Sequence, residues 1–420
     1  MQKSTLTGDL TTASGFELRR ALERLREGLY DPLAVRLLTA NRHELEAQID
    51  SDFKRLEAGE PVHLCVSGPY GQGKSHTLTY LREYALAQGY VVSAINLDPR
   101  EAPLHQFREV YRALLDAMTF PVGAASTSFA EAWQDWAETH LASLKASPED
   151  AQDASPDASP DASEILAACL PEDMPHPFKA TLAGLALPTL HVPVGMRKLR
   201  QYRDYRPTAF PVTLRRMLMG ETVPVASLRP ALKYRQVSFY RQASLALRGE
   251  APFFLMIETL AQLLRQMGYK GWLLLFDEAE AIIQVRSNLR ARAYRNLDGF
   301  LSPFLTPSAI YPVFAFTPDF FQKIREEDYD LPYFDEDYAT AWRDLSVYSL
   351  RSLSRAAWHD LSETLIGLHA AAYQWAADRE HLRTLLHNRL SSLPLQDTRV
   401  TLKGLMDELD QVQQEAFFAS

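Results

Sequence analysis

The segment GPYGQGKSHT, Gly68 to Thr77, follows the apolar run VHLCVS and opens the helical pattern SHTLTYLREYALAQG. Gly68, Gly73, Lys74 and Ser75 fit G-x-x-x-x-G-K-[ST]. No other feature constrains the chain as much. Glycines let the backbone curl until successive N–H groups converge on one anionic centre. A helix starting near Lys74 adds its positive end. Lys74 then reaches the β and γ oxygens of a triphosphate, and the Ser75 hydroxyl is a ligand for Mg²⁺. Tyr70, Gly71, Gln72 and His76 complete the loop. A glycine-rich turn of no chemical meaning would not need a strand before it and a helix after it. The expected ligands are ATP and Mg²⁺.

A second strand, YVVSAINLD, follows the helix, so the chain begins as an α/β protein. Far downstream, GWLLLFDEAEAI reads as a strand ending in acids. A triphosphate site needs a carboxylate near Mg²⁺ and, for hydrolysis, a group that deprotonates or orients water. Asp277 is the candidate for the metal and Glu278 the candidate base. The strand IYPVFAFTPD ends at Thr317, where ligands sit in parallel sheets. SVYSLRSLS is a candidate last strand. Arginines that meet charge on the γ-phosphate are candidates at Arg343, before that strand, and at Arg351 and Arg355 just after it. Arg286, Arg290, Arg292 and Arg295 crowd the helix after the acidic strand.

Between these halves lies an insertion. One helix is expected to carry Leu104, Phe107, Val110, Leu114 and Met118, and another Phe129, Trp133, Trp136 and Leu144. Ser147 to Glu164 repeats DASP and holds six acids and no base, so it reads as a disordered acidic loop. The balance then reverses: from His191 to Arg248, twelve Lys and Arg face only Asp204 and Glu221. Tyr202, Tyr205 and Tyr234 are interleaved with these bases, a pattern suited to phosphates and stacked bases or equally to an acidic partner. Helical pattern resumes at APFFLMIETLAQLLRQMG, with Gly268 as its stop. The expected divisions are a helical lead-in (1–60), the first half of the core (61–120), the insertion (121–250), the second half (251–350) and a small helical lid (351–420).

These motifs together resemble the additional-strand, catalytic-glutamate P-loop ATPases near the AAA+ group. More narrowly, the chain resembles the ATP-binding proteins of BREX phage-defence systems, the BrxD-like family, over nearly its whole length. The residues that carry this are Tyr70 to His76, Gly271 to Glu280 and Phe316 to Pro318. TANRHELEAQI, Thr39 to Ile49, is similar to the box that borders adenine in such ATPases, which implies Arg42 as a nucleotide contact; Asn41 replaces the usual glycine. The resemblance implies a parallel sheet flanked by helices, ATP hydrolysis, and partners within a defence complex: a methyltransferase, a phosphatase-like protein or a helicase. Association with DNA, without sequence specificity, and assembly of several copies are compatible with it. The alternatives are a slow STAND-like ATP-binding switch or scaffold, and a DNA adaptor ATPase of the transposition type.

Composition sets the outer bounds. A chain 46% hydrophobic and 23% charged is an ordinary globular one. Its net charge of −9 excludes a generally basic nucleic-acid coat but not a local basic face. Cys65 and Cys169 are too few for a disulfide framework and lack metal-ligand spacing. The start has no apolar core of a signal peptide, and no apolar run approaches a membrane span, so a cytoplasmic setting is expected.

Overall fold

The computed structural model describes residues 13–29, 31–40, 42–124, 126–146, 161–302, 305–393, 395 and 397–419. Among these residues six strands form one sheet: β1 (Leu64–Ser67), β2 (Val91–Asn96), β3 (Met118–Thr119), β4 (Trp272–Asp277), β5 (Ile310–Phe316) and β6 (Val347–Ser349). Their order across the sheet is β3-β2-β4-β5-β1-β6. All pairings are parallel except β2 with β3, so the sheet is mixed. The four central strands read as nearly continuous apolar runs because helices cover both faces.

Alternation along the strands divides the two cores. Trp272, Leu274 and Phe276 of β4, with Ile310, Phe314 and Phe316 of β5, face one side. Leu273 and Leu275, with Tyr311, Val313 and Ala315, face the other. The second face is covered by the helix behind the glycine loop (Lys74–Ala87) and by the helix Arg42–Glu57, through Leu78, Leu81, Ile49 and Phe53. The first face is covered by helices Phe107–Asp116 and Ala251–Gln266 and by the insertion, which continues the same core.

Met118 does not extend the helix that carries Phe107, Val110 and Leu114. That helix ends at Asp116, where the Ala117 amide turns back on the Ala113 and Leu115 carbonyls. Met118 then pairs antiparallel with Ser93 and is buried. A two-residue strand thereby covers part of the open edge of β2, which a parallel sheet otherwise leaves exposed. The helix Phe129–Ala146 forms where Phe129, Trp133 and Trp136 recur. Of the acidic stretch 147–164, residues 147–160 lie outside the described residues. The last four do not continue a loop: Asp161 accepts from the Ser163 amide at 2.9 Å and caps the helix Ala162–Cys169.

The two ends of the chain share a third core. Leu18 and Leu22 of the helix Gly15–Arg26, and Leu33 and Leu37 of Pro32–Leu38, pack with Trp358, Leu365, Leu386 and Leu409 of the C-terminal helices. Polar contacts fasten the seam. Arg26 donates to Asp410 at 2.8 Å and to the Tyr373 hydroxyl at 2.7 Å, and His369 Nε2 lies 2.9 Å from the other Asp410 oxygen.

Arg290 forms a two-pronged pair with Glu327 at 2.5 and 2.8 Å, and both side chains are buried. Removing one member leaves an uncompensated buried charge, whereas replacing both with apolar groups need not cost stability. Arg290→Met is therefore expected to lower unfolding free energy by about 3 kcal/mol in urea titrations, with Arg290→Met/Glu327→Met recovering most of it. Equal stability of parent and single variant would show that the pair is not closed in solution.

Candidate nucleotide site

The carboxyl ends of the central strands bring the predicted residues to one edge. Ser67, last in β1, stands opposite Phe316 of β5 and Ser349 of β6, and Asp277, last in β4, stands opposite Asn96 of β2. The strand carrying Thr317 thus lies between the strand that feeds the glycine loop and the strand that ends in Asp277. The Gly68 amide donates to the Phe316 carbonyl at 3.2 Å, which ties the start of the loop to the residue before Thr317.

The loop is shaped by backbone that only glycine adopts easily. Gly71 has φ +81° and Gly73 φ +94°. Gly73 caps the helix Lys74–Ala87, and its carbonyl accepts both the Thr77 amide at 2.8 Å and the Thr77 hydroxyl at 3.0 Å. The first amides of this helix therefore open toward the curl of the loop, as an anion requires.

Lys74 is buried, at 8% exposure, and its Nζ donates to the Gly68 carbonyl at 3.1 Å. The anion nearest it is Glu280, with Oε1 at 3.6 Å. Glu280 was not singled out from sequence, although it is the last acid of the run DEAE. Burial pushes its carboxyl above the usual range; Asp277 and Glu278 add to this, while its own backbone amide and Lys74 pull the other way. Its Oε2 is buried without a hydrogen-bond partner.

Asp277 is half-exposed, and one of its oxygens accepts the Glu278 amide at 2.9 Å. Glu278 is exposed, at φ +53°, a left-handed conformation that is strained for a side chain of this kind. From there the chain enters a short 3₁₀ turn, Ala279–Gln284, which returns Glu280 toward Lys74. Thr317 is half-exposed and precedes the helix Pro318–Arg325 without capping it by its side chain. Among the described residues no cluster of three or more His, Cys, Asp or Glu could form a metal cage. Mg²⁺ does not need one, since it is commonly held by one or two protein groups together with phosphate oxygens and water. A buried lysine whose nearest anion is a carboxylate 3.6 Å away, beside a half-exposed Asp277, fits a magnesium–triphosphate ligand.

Beside the loop, a cavity of ≈ 490 Å³ opens between Gly71–Gly73, the lead-in helices, the end of β6 and the C-terminal helices. Its size falls within the range of small-ligand sites. His76 and Thr39 meet in its wall, with Nε2 2.8 Å from Oγ1. The Thr39 hydroxyl donates to the Val35 carbonyl at 2.6 Å, so it accepts from His76, which carries its proton on Nε2. Arg351 and Arg399 also line the cavity. Arg399 was missed in the sequence because nothing near it resembles a motif. It lies over the ring of Tyr70, which is otherwise 80% exposed, at 6.0 Å. Gln72 donates to the Ser352 hydroxyl at 3.3 Å, another tie between the loop and the segment after β6.

Other predicted residues stand apart. Arg42 opens the helix Arg42–Glu57, and its side chain lies outside the described residues. Arg343 is exposed on the turn before β6, near Asp337, and does not line the cavity. Arg290, Arg292 and Arg295 are engaged with Glu327, Glu250 and Asp335. Tyr205 and Tyr234 do not stand ready to stack bases. They are buried against each other, and their hydroxyls donate to the Leu190 and Gln201 carbonyls.

A mixed α/β sheet flanked by helices, with a glycine loop and an acidic strand end at one edge, defines a P-loop-like nucleotide-binding protein. More particularly, the chain belongs to the family of BREX system ATP-binding proteins BrxC/D, whose model matches residues 17–173 and 249–419. Comparisons with curated proteins and with solved structures gave no match. Family membership makes this an ATP-binding component of a BREX system, with other components of that system as its partners. Among the described residues no helix is long and apolar enough to cross a membrane.

Burial lowers the pKa of His76 to about 4, from an ordinary 6.5. The folded state therefore holds it neutral, and the unfolded chain binds more protons between those values. Its contribution to stability is complete above pH 6.5 and is lost as pH falls toward 4. Thermal melts at pH 7 and pH 5 should show a smaller acid-induced drop in Tm for His76→Asn than for the parent. An unchanged drop would mean that the ring is already solvated.

Proposed function

We propose that the chain is a magnesium-dependent ATPase of the additional-strand, AAA+-like branch, acting as the nucleotide-driven subunit of an anti-phage complex. The observation that carries this is the buried Lys74 ammonium, held between the Gly68 carbonyl and Glu280 beside the Asp277–Glu278 strand end. The strand order supports it too, since β5 is inserted between the strands bearing the loop and the acids.

On this reading Lys74 and the amides from Gly71 to Ser75 hold the β- and γ-phosphates. Ser75 and Asp277 hold Mg²⁺, which when bound neutralises charge on the phosphates. Glu278 takes a proton from the attacking water, and its exposure leaves it free to do so. Thr317, between loop and acids, senses the γ-phosphate. Tyr70, Gln72 and His76 border the nucleotide, with Arg42 on the adenine side. Arg343, exposed and away from this chain's cavity, suits a finger inserted into a neighbouring copy. Hydrolysis would shift the C-terminal helices, because Gln72 and Tyr70 of the loop touch Ser352 and Arg399. A cytoplasmic setting accompanies this role. DNA association would make the motion act on a nucleic-acid substrate of the complex.

Two substitutions test the reading. Lys74→Ala should weaken ATP binding by at least tenfold in calorimetry, the loss of one charged hydrogen bond of about 1.5–3 kcal/mol. Glu278→Gln should bind ATP as the parent does, yet release phosphate about a hundredfold more slowly. If Glu278→Gln leaves turnover unchanged, the base is elsewhere. If the parent binds ATP and does not turn over with or without its partners, the slow switch is the better account.

A further inference from the structure

Residues 174–248 fall between the two stretches that the family model matches. They carry chemistry that the nucleotide site does not use. Ten of the twelve Lys and Arg from His191 to Arg248 fall into two groups, with Arg215 and Arg248 exposed outside both. Some hold the segment together. Arg216 pairs with Glu221 at 2.6 Å, Arg235 donates to the Leu187 carbonyl, Arg206 to the Arg203 and Tyr205 carbonyls, and Arg197 to the Val192 carbonyl. Among the described residues, Arg216–Glu221 is the only ion pair in this segment.

The second group faces solvent around one cleft. Arg229 and Lys233 stand four residues apart on the helix Val225–Tyr234, so they share a face. Arg241, at the end of the turn Ser238–Arg241, lines the same cleft, with its Nε donating to the Tyr240 hydroxyl at 2.8 Å. All three are exposed and line a cleft of ≈ 740 Å³ in which Asp204 is the acid present. Asp204 and Tyr234 line the cleft, and the Tyr234 hydroxyl donates to the Gln201 carbonyl at 3.1 Å, so the adjoining stretch with Lys198, Arg200 and Arg203 is taken as its rim. Those three are exposed as well, and none has a carboxylate within ion-pair distance among the described residues.

Like charges gathered around a cleft repel unless a polyanion answers them. Arginine forks match phosphate oxygens in pairs. The walls between the cations combine the small residues Ala226, Ala243, Ser244 and Ala246 with half-buried Val225 and Pro230. Tyr234, Tyr240 and Leu245 also line them, but their side chains are buried, so little apolar surface is open to the aromatic anchor of a protein partner. Tyr205 and Tyr234 are buried and Tyr202 is half-buried, so a single strand finds little aromatic surface to stack on there. We infer that this segment grips the phosphate backbone of a nucleic-acid duplex through Arg229, Lys233 and Arg241 and their basic rim, without reading base sequence.

The test uses the full chain and two fluorescent duplexes of unrelated sequence, each ~30 base pairs, followed by anisotropy at 50 and 200 mM salt. Both duplexes should bind alike, with affinity falling steeply as salt rises. Arg229→Glu/Lys233→Glu/Arg241→Glu should weaken binding at least tenfold and lower the log–log salt slope by about three. Its melting temperature and ATP affinity should stay at the parental level. If that variant does not fold, Arg200→Glu/Arg203→Glu on the rim must show a smaller loss in the same direction. Lys74→Ala should bind DNA as the parent does, so a failure of the ATPase reading leaves this result readable. Absence of duplex binding at 50 mM salt, or a variant with parental affinity and slope, overturns the inference. So does a polyglutamate probe that binds the parent and is not displaced by duplex, since the cleft would then belong to an acidic protein.

Discussion

A lysine ammonium buried in a loop of backbone is tolerable only while negative charge stays close to it. Lys74 meets this requirement with one carbonyl at 3.1 Å and a carboxylate at 3.6 Å, too far for a close hydrogen bond. Glu280 is itself short of partners, with one oxygen unsatisfied and its carboxyl pushed toward the neutral form by burial. Both groups are held by elements on which the rest of the sheet is built. The P-loop helix fixes Lys74, and β4 with its 3₁₀ turn fixes Glu280. Phosphate oxygens entering the curl would give Lys74 closer partners and release Glu280 from it. On the proposed reading, that exchange couples ligand arrival to the acidic strand end.

The second consequence concerns the chain termini. Helices near residue 20 and helices beyond residue 355 share one apolar core, and the cavity beside the loop opens at their seam. A ligand there would touch the sheet, the lead-in and the lid together. The Asp397 carboxylate packs so tightly on Gly71 that a Cβ at that glycine would lie 2.9 Å from its oxygen. The C-terminal segment therefore rests directly on the glycine loop, so that on the proposed reading movement of one is felt by the other.

Much of this was legible in the sequence for a physical reason. Parallel strands buried on both faces leave unbroken apolar runs, and a phosphate loop needs glycines and a lysine in fixed order, so β1, β4, β5 and the loop announce themselves. What escaped was whatever depends on distant contact. Met118 continues a helical period in the sequence, but the open edge of β2 draws it into a strand. Tyr205 and Tyr234 sit among arginines in the sequence, while tertiary packing turns them into each other. Glu280 and Arg399 acquire their positions only after chain segments far apart in sequence come together. The union of the two termini in one core leaves no local trace at all.

The insertion is also less separate than its charge suggests. The Tyr111 hydroxyl donates to the Leu218 carbonyl at 2.7 Å, and a Cβ at Gly220 would lie 2.9 Å from Phe253. The basic segment is thus set against the two helices, Phe107–Asp116 and Ala251–Gln266, that cover the first face of the sheet. The second of these leads directly into β4, which ends at Asp277. Close-packed interiors transmit displacement instead of absorbing it. A shift at the acidic strand end therefore has a short, solid route to the cleft of Arg229 and Lys233. The helices Phe107–Asp116 and Ala251–Gln266, packed on the sheet, are what the basic segment rests on.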